Sequence, residues 1–104
     1  ITDLNLDGLG LYSINGIEHF SNLESLSCVN NNLTEVPDLP SRLEILNLRF
    51  NNITTVNPLP ETLLDLDLRN NSLKVKRVVI IICTTYFWQF NVWFQNFIHC
   101  CKSS

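Results

Sequence analysis

The chain has 104 residues, 45% of them hydrophobic and 16% charged, with a formal net charge of −3 and only three glycines and four prolines. That size bounds it to one small domain, its apolar content excludes a disordered chain, and its glycine and proline content excludes collagen-like or linker-like material. The charge is unevenly laid out: residues 1–68 hold all ten acids against Arg42 and Arg49, whereas residues 69–104 hold five bases and no acid. Seven of the ten aromatic residues also fall between Tyr86 and Phe97. The break lies near Leu73–Arg77 and separates two segments under different constraints. Neither an initiating Met nor a charged-then-apolar leader opens the sequence, so the expectation is a fragment or processed piece without a signal peptide.

From the first residue the apolar positions recur in a frame. Residues 1–22 set it with Ile1, Leu4, Leu6, Leu9, Leu11, Ile14, Ile17 and Phe20. Residues 23–42 place Leu23, Leu26, Cys28, Asn31, Leu33, Val36 and Leu39 in it. Residues 43–62 repeat the frame twenty positions on with Leu43, Leu46, Leu48, Asn51, Ile53, Val56 and Leu59, and residues 63–76 give Leu63, Leu66, Leu68, Asn71 and Leu73. The pattern L-x-x-L-x-L-x-x-N-x-L runs four times, with Leu9 standing where the Asn belongs. Agreement of every slot across consecutive steps is the signature of stacked structural units.

This pattern resembles that of the leucine-rich-repeat family. The resemblance implies a solenoid in which each L-x-L is a short strand, the strands form a parallel sheet on the concave side, and Asn31, Asn51 and Asn71 form a hydrogen-bonding ladder behind them. Leu9 cannot join that ladder, so the first unit is expected to be atypical. The elements Val36-Pro37-Asp38-Leu39-Pro40 and Val56-Asn57-Pro58-Leu59-Pro60 forbid helix and favour extended or polyproline geometry, giving a convex side without regular helices. The V-P-x-L-P element resembles the bacterial short repeat type found in effectors injected into host cells. The 22-residue first unit looks more like the internalin type.

Strand residues that do not face the core face the concavity in four rows: Asp3, Ser25, Ile45, Asp65; Asn5, Ser27, Asn47, Asp67; Asp7, Val29, Arg49, Arg69; and Gly8, Asn30, Phe50, Asn70. Arg49 and Arg69 stack at about 5 Å, so they repel unless Asp65 and Asp67 neutralise them or a partner's anion meets them. The functional reading is a protein-binding strip of Asn5, Asp7, Ser27, Val29, Ile45, Asn47, Arg49, Phe50, Asp65, Asp67 and Arg69, with Ile45 and Phe50 as apolar anchors. The competing reading is a solvated face balanced by its own acids. Such a face measures only a few hundred Å² by strand spacing, against about 800 Å² per partner in a standard interface, so the working form should be a longer array.

Other chemistries find no support. His19 and His99 are the two histidines, and no nucleophile, base and acid fall where the repeat would bring them together. His19 is expected on the surface. No phosphate loop follows Gly8 and Gly10. Asp65 and Asp67 are two carboxylates where Ca²⁺ takes about six to eight oxygens, so no metal and no cofactor are predicted. The acidic repeat region would repel nucleic acid. Three sequons, at Asn32, Asn52 and Asn70, are by-products of the repeat unless the chain enters a secretory pathway.

The tail, residues 77–104, is open to three readings. Val78 to Ile98 is 21 residues without a formal charge. As a helix of about 31 Å it would span a bilayer as a C-terminal anchor behind Lys74, Lys76 and Arg77, with the repeats on the cytoplasmic side. Gln89, Asn91, Gln95 and Asn96 oppose that reading. The tail could instead cover the last unit, or be a non-selected, out-of-frame string. Cys28 fills a core slot, while Cys83, Cys100 and Cys101 define no disulfide framework. The functional expectation is a non-enzymatic protein-binding module, cytoplasmic or a secreted or injected effector. The alternatives are a membrane-anchored repeat scaffold and the substrate-recognition part of an effector ubiquitin ligase without its catalytic domain.

Overall fold

Each three-residue strand aims one leucine inward and a second apolar side chain follows just beyond it, too few to form a core alone. The chain solves this by stacking units. The computed structural model describes residues 1–73; the readings placed on residues 74–104, including the membrane span at 78–98, lie outside the described residues. Six strands form: β1 (Asp3–Asn5), β2 (Ser25–Ser27), β3 (Glu35–Val36), β4 (Ile45–Asn47), β5 (Thr55–Val56) and β6 (Asp65–Asp67). β1, β2, β4 and β6 make one sheet in that order, every pair parallel. The single helical element among the described residues is a 3-10 turn at Ile17–His19 in the longer first unit.

The register carries the leucines into columns. Leu4, Leu26, Leu46 and Leu66 lie side by side across the sheet, and Leu26, Leu46 and Leu66 are almost wholly buried. Cys28, Leu48 and Leu68 form the next buried column, followed by Leu33, Ile53 and Leu73, while Leu23, Leu43 and Leu63 close the stack ahead of the strands. Each buried leucine contributes about 1.5–3 kcal/mol relative to exposure.

Behind the strands the chain turns inward and buries backbone groups that need partners. Asparagine amides supply them. Asn51 Nδ2 donates to the carbonyls of Cys28 (2.9 Å) and Leu48 (3.0 Å), and its Oδ1 accepts from the Leu33 N–H (3.1 Å). Asn71 repeats the arrangement one unit on, with Leu48, Leu68 and the Ile53 N–H. Asn31 donates to Leu6 and Cys28, and accepts from the N–H groups of both Leu9 and Leu11. Each amide therefore ties its own turn to that of the unit before it.

Two features depart from the sequence reading. Ile1, Leu9 and Phe20, slots of the first unit's apolar frame, are 72%, 59% and 41% exposed. No described unit packs on that flank, and an apolar notch of about 380 Å³ opens there among Leu4, Leu9, Leu11 and Ile14. On the opposite side of the units, the extended segments join in a second parallel ladder, Glu35 with Thr55 and Val36 with Val56. β-branched Val36, Thr55 and Val56 suit that ladder. The prolines follow the strands, where their missing N–H removes no ladder bond.

Because Leu46 has neighbours of its own kind on both sides, Leu46→Ala should destabilise by about 2–5 kcal/mol in urea unfolding. Ile45→Thr, one position away on the solvent face, should cost about 0.5 kcal/mol or less. Equal costs would contradict the stacking.

Candidate functional site

The solvent face of the four-stranded sheet begins with rows that the register defines directly: Asp3, Ser25, Ile45 and Asp65, then Asn5, Ser27, Asn47 and Asp67. The strands end there. Asp7, Val29, Arg49 and Arg69, and the row of Phe50 after them, lie on the turn beyond the strands rather than in the sheet. Their alignment persists because the N–H groups of Gly8, Asn30 and Phe50 donate to the carbonyls of Val29, Arg49 and Arg69 at 2.9, 3.0 and 3.2 Å.

Several side chains expected to face a partner hold this turn. Asn5 Oδ1 accepts from the Asp7 N–H at 2.9 Å, Asn47 Oδ1 from Arg49 at 3.2 Å and Asp67 Oδ1 from Arg69 at 3.1 Å. This is the i to i+2 contact that Asn and Asp make with their own backbone. In the second unit Ser27 stands at that position. There Asp7 reaches across from the first unit, accepting from the Ser27 hydroxyl at 2.7 Å and the Val29 N–H at 2.8 Å. The recurring Asn or Asp two positions before the turn was the sequence signal for this duty.

The charges sort unequally. Asp67 binds Arg69 through Nε and Nη2, at 2.7 Å for the latter, and lies 3.9 Å from Arg49 Nε. It is this one acid, rather than Asp65, that offsets the stacked arginines. Burial pushes the Asp67 carboxyl upward, but the Arg69 hydrogen bonds and the charges of Arg69 and Arg49 outweigh it and hold the group below its ordinary value. The Arg49 guanidinium lies over the Phe50 ring, 5.3 Å from its centroid. Ile45 and Phe50 are 46% and 47% exposed.

Elsewhere the surface offers little chemistry. The Cys28 thiol is pushed up to about 12, chiefly by burial and secondarily by the Asp7 charge, and so stays protonated and unreactive. His19 is exposed. Among the described residues no group of three or more metal-binding side chains occurs, and no helix is long and apolar enough to cross a membrane. The sequon residues Asn52 and Asn70 are exposed and Asn32 is half-buried.

Parallel three-residue strands in register, an asparagine amide behind each turn and almost no helix define a leucine-rich array. Residues 21–61 match the family model for leucine-rich repeats in two copies, so this stretch consists of leucine-rich repeats. Such repeats are generally protein–protein interaction modules, and typically non-catalytic. No curated protein and no solved structure matches the chain.

The lowered Asp67 pKa fixes the sign of a pH effect: its contribution is present above the unfolded value near about 3.9 and is lost as pH falls through the lower folded value. Asp67→Asn keeps the turn contact but not the charge. It should cost about 1 kcal/mol in urea unfolding at pH 7 and progressively less below about pH 4. A cost independent of pH would show that the ion pair contributes nothing.

Proposed function

We propose that the chain binds a protein partner through the solvent face of its four-stranded sheet, as the concave wall of a short solenoid, and that it does so as part of a longer array. The supporting observation is local. Asn5, Asp7, Ser27, Asn47 and Asp67 of that face are engaged in holding turns, yet the third unit leaves Ile45 and Phe50 about half exposed beside Arg49. Exposed apolar groups beside an arginine are the composition of an interface centre rather than of a plain solvated wall. Val29 and Asp65 flank this patch, and Asp67 with Arg69 forms its charged margin.

The face spans four strands of three residues. At about 4.8 Å between strands it supplies less than the roughly 800 Å² that a standard interface takes from each partner. Additional units would supply the remainder. The element Val36-Pro37-Asp38-Leu39-Pro40 favours the short bacterial repeat type, and in that setting the array would select a partner for chemistry carried by another domain.

Site-specific photo-crosslinking tests the reading. A benzophenone side chain at Ile45 should yield a discrete protein adduct in cell extract, one at exposed Thr54 on the far side should not, and Arg49→Glu should abolish the first without lowering the melting temperature. Adducts at Thr54 alone, or at neither position, would contradict it.

A further inference from the structure

Phe50 occupies a position that its equivalents explain poorly. The residue just before each asparagine slot is Gly8, Asn30, Phe50 or Asn70, and all four have left-handed backbone, with φ of 66°, 61°, 58° and 60°. Glycine adopts this region freely and asparagine readily, whereas a bulky aromatic side chain there is an outlier. Phe50 is left 47% exposed, so the fold gains only part of its burial, and among the described residues the ring's one cation contact is the Arg49 guanidinium. Strain kept without a matching gain in packing is a mark of function.

Arg49 indicates what kind of function. Asp67 closes around Arg69 at 2.7 Å but stays 3.9 Å from Arg49. Among the described residues the Arg49 guanidinium makes no hydrogen bond, and its buried Nε has only the Asp67 charge at 3.9 Å. The two terminal nitrogens of Arg49, without a hydrogen bond among the described residues, therefore lie beside a half-exposed apolar ring, held only loosely through the buried Nε by Asp67. Such a pair matches a carboxylate in bidentate fashion, and the ring beside it suits an apolar side chain.

We propose that Phe50 and Arg49 together are the anchor of the interface, taking a partner segment in which a carboxylate stands next to an apolar side chain. The proposal rests on the sheet-face reading above and adds to it the partner's chemistry and the residue for which fold strain is retained.

Panning the full chain against phage-displayed random peptides tests it. Enriched peptides should carry Asp or Glu adjacent to Leu, Ile, Phe or Trp. Phe50→Asn and Arg49→Gln should each weaken their binding by about tenfold or more. The melting temperature of Phe50→Asn should stay level or rise, since asparagine suits the left-handed position. A fall of about 4 °C or more would make the ring a structural prop and overturn the proposal whatever the affinity. Enrichment of basic peptides, or none, also overturns it. Binding that survives Phe50→Asn and Arg49→Gln but is lost in Ile45→Ser removes the anchor and leaves the sheet-face reading standing; survival of all three substitutions removes both.

Discussion

The buried amide of asparagine is the interaction on which the rest of this structure depends. A unit of twenty residues that returns on itself after a three-residue strand must bury carbonyl and N–H groups away from any strand partner. Leaving one such group unpaired costs about 1–3 kcal/mol. Asn51 answers with both ends of its amide, taking the Leu33 N–H of the preceding unit and giving to Cys28 and Leu48. No apolar side chain of similar size can do so. The leucine columns then supply the bulk of the stabilisation, but it is the amides that hold adjacent units in register.

That constraint also shapes the outer face. Strands this short leave the third and fourth rows on a turn, and the turn needs its own partners from Asn5, Asp7, Asn47 and Asp67. A surface that looks freely available for recognition is thus partly engaged in local structure. The third unit differs. There the left-handed turn residue is an aromatic rather than Gly or Asn, and the arginine before it is only loosely held by the neighbouring acid. On the proposed reading, recognition and fold strain meet at one position.

The columns were legible in the sequence because a fixed offset of twenty residues maps directly onto strand register: Leu26, Leu46 and Leu66 align as their spacing requires. The parallel strands and the near absence of helix followed from the same spacing and from the prolines after Val36 and Val56. What remained hidden depends on which side chain reaches which group. Asp7 bridging to Ser27 and Val29 exists only once two units are stacked. The unequal sharing of Asp67 between Arg49 and Arg69 is a matter of side-chain geometry at distances of 2.7 and 3.9 Å. The exposure of Leu9 and Phe20 follows from the lack of a described neighbour on that flank, which a repeating frame does not reveal. The second ladder, Val36 with Val56, was signalled by β-branched residues that the prolines beside them overshadowed.

Native-state hydrogen exchange on the full chain tests the amide ladder most directly. The N–H groups of Leu33 and Ile53, which lie in turns yet donate to Asn51 and Asn71, should exchange only with the opening of the whole stack, as slowly as the N–H of Leu46 within its strand. Exchange at the rate of an open loop would show that the amides do not hold the units together.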